Sequence, residues 1–210
     1  IFTPLFAFLL LASTSMAQTS KSQDILNKLS SSMKSLNTFY VEFNANIKNT
    51  STGVNESEKG KGWVKGNKYF ATYGDITLLS DGKKTWTVIN EEQSVYESYA
   101  SDDEESMNPK KLMTIWENGF KNKYEKASTF NGENVHVIKL YPTNPEDADY
   151  HTILLYVSVK MNELKKAVMK TNDGTTMIYH LTKFISNKEI ADSKFVFNKT
   201  KYPGFAVISD

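Results

Sequence analysis

The chain contains neither cysteine nor arginine. Lacking cysteine, it forms no disulfide, carries no thiol nucleophile or thiolate metal ligand, and has no lipidated cysteine of the kind that anchors a bacterial lipoprotein. Lacking arginine, it meets the world through lysine alone, a point charge on a flexible stem rather than a planar fork. The 25 basic residues oppose 24 acidic ones, a balance that gives no electrostatic case for nucleic acid, whose binders concentrate positive charge. Histidine is scarce, with His136, His151 and His180 the three present, and none stands in a motif that pairs an imidazole with a nucleophile. The acidic run Asp102 to Glu105 lacks the spaced ligands and the glycine of a calcium loop. Gly60, Gly62 and Gly66 do not make a phosphate loop, because no helix opens behind them. The expectation is therefore a protein that is not an enzyme, with no catalytic residue, cofactor or metal site. A long apolar run is missing as well: residues 1–17, IFTPLFAFLLLASTSMA, fall short of the roughly 20 residues of a membrane span. They end in small residues, with Ser15 and Ala17 where a signal peptidase reads, and predict a secretory signal cleaved before Gln18. A retained N-terminal anchor is the alternative. Residues 18–210 then form a single domain.

What is present is mostly strand. Ile25, Leu26, Leu29, Met33 and Leu36 recur at helical spacing after Ser22, an N-cap type, and predict one helix lying on a sheet. Phe39, Val41, Phe43, Ala45 and Ile47 alternate with polar neighbours, the period-two pattern of a strand with one wet face. Further strands are expected at 62–73, 76–79, 85–90, 93–99, 124–130, 135–141, 152–159, 164–171, 176–185, 194–197 and 205–208. A polar loop is expected to reach about Glu58. Asp81-Gly82 and Asp173-Gly174 mark tight turns. Asn108-Pro109 reads as the start of a short second helix carrying Leu112, Met113, Ile115 and Trp116. About ten or eleven consecutive antiparallel strands favour a strongly curved sheet, an incomplete β-barrel covered by helices, over a flat one. The fold class expected is mainly β with a helical lid, an α+β arrangement.

Three stretches carry a resemblance. GKGWVKGNKYF, then DITLLSDGKKTWTVINEEQ, then KFVFNKTKYPGFAVISD resemble the outer-membrane lipoprotein carrier proteins of the LolA type. The matching residues are Gly60, Trp63, Val64 and Lys65; Ser80, Asp81, Gly82, Lys83 and Trp86; Glu92 and Gln93; and Phe195, Phe197, Pro203 and Gly204. The resemblance implies an incompletely closed barrel with an apolar cavity under a helical lid. It also implies a task, receiving acylated lipoproteins from an inner-membrane export complex and carrying them through the periplasm to an outer-membrane acceptor as a monomer. Phe70 falls where the family has an aromatic residue important for the cavity. Gly66 and Asn67 fall where the family has an Arg-Pro pair whose arginine latches the lid; with no arginine in the chain, Lys65 or Lys68 is the candidate substitute.

The physical demand on such a carrier is large. Exposing an acyl chain costs about 0.8 kcal/mol per CH₂, so some sixteen carbons cost roughly 12 kcal/mol. The candidate lining is Met33, Leu36, Leu112, Met113 and Trp116 on helices, facing Phe43, Trp63, Phe70, Leu78, Trp86, Ile153 and Phe184 on strands; methionines and rings make walls that adapt to a guest. Each of the twelve is equally well ordinary core. Other readings stay open: a lipid- or lipoprotein-sensing regulatory domain of the cell envelope, a carrier of free lipid or glycolipid, and, from another class, an enzyme on a lipidic substrate, which needs a polar constellation that the sequence does not display.

Overall fold

The computed structural model describes residues 10–100 and 114–209. One helix, α1 (Leu10–Ser35), leads into strands β1 (Thr38–Asn49), β2 (Val54–Lys65), β3 (Lys68–Tyr73), β4 (Ile76–Ser80), β5 (Lys84–Ile89) and β6 (Ser94–Tyr99). After a 3-10 turn at Ile115–Glu117 come β7 (Phe120–Phe130), β8 (Glu133–Pro142), β9 (Tyr150–Ser158), β10 (Leu164–Thr171) and β11 (Thr176–Ser186), and two more 3-10 turns precede β12 (Ala206–Ser209). All twelve strands join one open sheet in the order β12-β6-β5-β4-β3-β2-β1-β11-β10-β9-β8-β7. Pairing β1 with both β2 and β11 sets the most strongly patterned strand at the centre. The sheet is curved and unclosed, so the incomplete-barrel expectation holds.

Several boundaries differ from the sequence expectation for identifiable reasons. The segment 54–59, expected as loop, is strand because it pairs residue for residue with β1; tertiary pairing overrides its polar composition. Residues 62–73 are two strands, since Gly66 takes a φ of +57° and turns the chain where a non-glycine residue resists that conformation. Residues 194–197 are not a strand. The chain there folds into turns, with Lys194 N donating to Ala191 O and the Asn198 side chain accepting from Thr200 N. The last strand, β12, runs parallel to β6, an exception to the all-antiparallel expectation. Ser22 is not an N-cap: α1 begins at Leu10, and the buried Ser22 donates from Oγ to Asn122 Oδ1 on β7 at 2.6 Å. Of the expected second helix, Leu112 and Met113 lie outside the described residues, and Ile115–Glu117 is a 3-10 turn.

Strand alternation divides the core between two faces. Against α1 lie Ile25, Leu26 and Leu29 with Trp116, Ile138, Leu140, Ile153, Leu155, Val157 and Leu164, continued at the helix C-terminus by Met33, Phe39, Val41, Val64 and Tyr69. On the far face Leu79, Trp86, Val88 and Val95 form a separate cluster. Its cover is the segment after β11: the Phe197 ring stacks on Trp86 at 5.5 Å and Tyr202 on Phe197 at 5.8 Å, while Phe195 is fully buried.

Candidate functional site

The apolar stripe of α1 crosses the strands obliquely, from β7 to β11 and β1, and fills only part of the helix face. Where its last turns meet β10 and β11, a cavity of ≈ 90 Å³ is lined by Leu29, Met33, Leu36, Leu164, Leu181 and Phe184, with Ser32, Asn162, Glu163 and Ser186 at its margin. That is well under the roughly 300–1,000 Å³ of a small-molecule site. The helix is seated and the cavity closed down.

The same face continues along β1, β10 and β11 as a half-buried apolar surface, termed the trough. Cross-strand partners bring Ala45 opposite Tyr179, Ile47 opposite Met177, and Met169 opposite both Met177 and Ile153; all but Ala45 and Ile153 are half-buried. Phe43 lies between Tyr73 and Tyr179, with centroids 6.0 and 6.2 Å away. Burial raises the Tyr69 and Tyr179 hydroxyls above their ordinary pKa, and burial together with the charges of Glu58 and Glu56 does the same to Tyr73. The ring of Phe43 rests on the backbone of Gly60: a Cβ there would stand 2.1 Å from Phe43 Cζ. This is the close approach for which the glycines around Trp63 leave room. Gly60→Val is expected to swing the Phe43 ring into the trough at about 1–3 kcal/mol of overpacking, and a chemical-denaturation midpoint together with the shifted Phe43 ring resonances checks it.

Two contacts hold the helix down from the short turn after residue 113. Trp116 Nε1 donates to Ser30 Oγ at 2.8 Å, buried, and Lys34 Nζ pairs with Glu117 Oε2 at 2.7 Å.

The structure brings together some of the residues expected to line a cavity and separates others. Met33, Leu36 and Phe184 line it; Leu78 packs beside the Met33 cluster; Phe43 shapes the trough; Ile153 and Trp116 belong to the core under α1. Trp63, Phe70 and Trp86 are elsewhere. Trp63 pairs with Phe70, Phe70 with Leu79 and Leu79 with Trp86 across successive strands, so all three rings share the far face with the third cluster. A strand sends neighbours to opposite sides, and Val64, not Trp63, meets the helix cluster. Leu112 and Met113 lie outside the described residues. Lys65 and Lys68, expected as a lid latch, do something different: their ammonium groups reach Asp192 Oδ1 at 3.1 and 3.3 Å, and Lys65 also donates to Ile190 O. They clamp the chain after β11 to the far face.

Hydrogen bonds from Lys65 and then Lys68 hold the Asp192 carboxyl below the ordinary carboxylate range. A depressed folded-state pKa gives stabilisation that is complete above the unfolded value of about 3.9 and drains away as pH falls through the lower folded value. Amide protection of residues 188–195 should therefore fall on acidification below about pH 4 in the unaltered protein. In Asp192→Asn it should be weak at neutral pH and flat with acid.

The residues missed by sequence reasoning are Leu29, Leu164 and Leu181 in the cavity, and Met169, Met177 and Tyr179 in the trough. The last two and Leu181 alternate along β11, a signal present in the sequence at 177, 179 and 181. Among the described residues no group of three or more His, Asp or Glu is placed to hold a metal ion, and no helix is long and apolar enough to cross a membrane.

With this geometry in place, three comparisons bear on it. The family described as outer membrane lipoprotein carrier protein LolA matches residues 34–198. No curated protein matches the sequence. Similar solved structures include an uncharacterized conserved protein from Thermus thermophilus, at 9% identity over 90% of this chain and 99% of that one with a TM-score of 0.56. LprF from Mycobacterium bovis is similar at 12% identity over 83% of this chain and 96% of that one, with a TM-score of 0.50. A LolA superfamily protein from Nitrosomonas europaea is similar at 12% identity over 83% and 97%, with a TM-score of 0.41. For the first two the likeness is one of fold.

Proposed function

We propose that this chain, which belongs to the outer membrane lipoprotein carrier protein family, is an extracytoplasmic carrier that takes the acyl chains of lipoproteins between α1 and the sheet. It is exported by way of residues 1–17, works in the periplasm as a monomer, receives cargo from an inner-membrane export complex and yields it to an outer-membrane acceptor. Catalysis and cofactors have no part in this. The observation that carries the reading is the match in scale between the lid and the guest. Lifting Ile25, Leu26, Leu29 and Met33 from the sheet exposes four buried side chains at about 1.5–3 kcal/mol each, about 6–12 kcal/mol together. A chain of some sixteen carbons returns roughly 12 kcal/mol on leaving water. Exchange of one for the other is close to neutral, as a carrier that must both load and release requires.

The test is binding of a palmitoylated lipopeptide to the protein lacking residues 1–17, followed by native mass spectrometry. A one-to-one complex, competed by lipopeptide and not by the same peptide without its acyl chain, is the expected result. Absence of any acyl-dependent complex overturns the carrier. Equal capture of free fatty acid or phospholipid moves the assignment to a carrier of free lipid.

A further inference from the structure

The far face, away from α1, carries an open groove of ≈ 410 Å³ between β2 and the segment that follows β11. Trp63, Lys188, Glu189, Ile190, Lys194 and Lys201 line it. The ammonium groups there rest on rings more than on carboxylates. Lys194 Nζ stands 4.0 Å from the ring centroids of both Trp63 and Phe70, and Lys188 Nζ stands 4.6 Å over Tyr40. Tyr40 itself lies against Trp63 at 4.7 Å, so Tyr40, Trp63 and Phe70 make a continuous aromatic floor. Asp192, at the edge, is already engaged by Lys65 and Lys68, and at the Tyr40 end Glu42 and Lys183 offset each other. Lys194 is crowded by Lys201 and Lys61, and burial with their repulsion lowers its pKa.

A chain that balances 25 bases against 24 acids thus gathers Lys61, Lys65, Lys68, Lys188, Lys194 and Lys201 around Glu189 and Asp192. Crowded like charges over an aromatic floor leave a deficit that an anion fills. Lysine answers phosphate as a point charge, without the planar geometry that arginine brings to carboxylates. A half-buried tryptophan beside lysines suits the headgroup level of a bilayer, where amphipathic rings and cations meet lipid phosphates. The groove is open along its length, so a headgroup fixed in a surface can enter it.

We infer that this groove docks the protein on anionic phospholipid headgroups of a membrane surface, with a lipid phosphate among Lys188, Lys194 and Lys201 and the half-buried ring of Trp63 at the interface. The site is on the opposite face from the acyl cavity and does not depend on it.

The experiment is co-sedimentation of the protein lacking residues 1–17 with vesicles of phosphatidylcholine alone and of phosphatidylcholine with phosphatidylglycerol. Binding to the anionic vesicles only, released by high salt, is expected. Lys188→Gln/Lys194→Gln/Lys201→Gln should weaken it about a hundredfold. The same charge change on the exposed edge of β7, Lys121→Gln/Lys123→Gln/Lys126→Gln, should weaken it far less. The groove variant should keep its affinity for the palmitoylated lipopeptide, so the two sites succeed or fail separately. Equal binding to neutral vesicles, or equal loss in both triple variants, overturns the inference. So does displacement by millimolar glycerol phosphate, which would make the groove a site for soluble phosphate.

Discussion

Phe184→Glu is expected to weaken binding of a palmitoylated lipopeptide by about a hundredfold, while Phe70→Glu leaves it within about twofold. Phe184 lines the cavity opposite Met33 and stacks on Phe39 at 5.7 Å. A carboxylate there must either be desolvated against the guest or be neutralised, and either costs several kcal/mol where each 1.4 kcal/mol is tenfold in affinity. The side chain is only half-buried in the closed protein, so the fold survives with the loss of one aromatic pair, about 0.5–1.5 kcal/mol. Phe70 is the position that resemblance to the family marks for the cavity. Here it sits on the far face against Trp63 at 5.7 Å and under Lys194, and Lys194 offers the new carboxylate a partner. Isothermal titration of both variants, with circular dichroism melts to confirm folding, decides the matter. If Phe70→Glu loses as much affinity as Phe184→Glu, the cargo does not lie between α1 and the sheet.

That contrast also shows how far the sequence was legible. The run from Phe39 to Ile47 announced a strand and its buried face together, because one set of positions is apolar and the other polar; the structure keeps that phase through all five residues. In GKGWVKGNKYF the phase is hidden. Trp63 and Val64 are adjacent and both apolar, so alternation alone does not say which one meets the helix. The deciding signal is Gly60 and Gly62, in step with Val64, which leave room for Phe43 and Val41 above them. The far face was harder still. What covers Trp86 is supplied by rings at 197, 202 and 205, which lie in turns and loops where no periodicity exists to be read. Lys65 and Lys68 were visible as cations near a tight turn, but their partner Asp192 is more than a hundred residues away along the chain. The curvature of the sheet followed from the succession of hairpins; its twelve strands, one or two more than expected, and the direction of β12, set by pairing with β6 after a long excursion, did not.

The second large effect concerns the seat of the helix. Trp116→Phe should lower the melting temperature by a few degrees and at the same time raise lipopeptide affinity by about two- to tenfold. A phenyl ring keeps an aromatic side chain in the cluster of Leu29 and Leu140 but is smaller than the indole, and the indole N–H that reaches Ser30 on α1 is removed, so some packing is lost from the closed state along with the hydrogen bond. A buried hydrogen bond of this kind is worth about 0.5–1.5 kcal/mol net, and all of it belongs to the closed state. Because the cavity, at ≈ 90 Å³, is well under the size of a small-molecule site, the proposed function has cargo bind a state in which α1 has moved. Apparent affinity is the intrinsic affinity scaled by the population of that state, so weakening the closed form strengthens binding by the same factor. A residue that merely stabilised the fold would lose affinity and melting temperature together. If Trp116→Phe does that, α1 does not leave its seat when the guest enters, and the room for an acyl chain has to be found in the trough of Phe43, Met169, Met177 and Tyr179 alone.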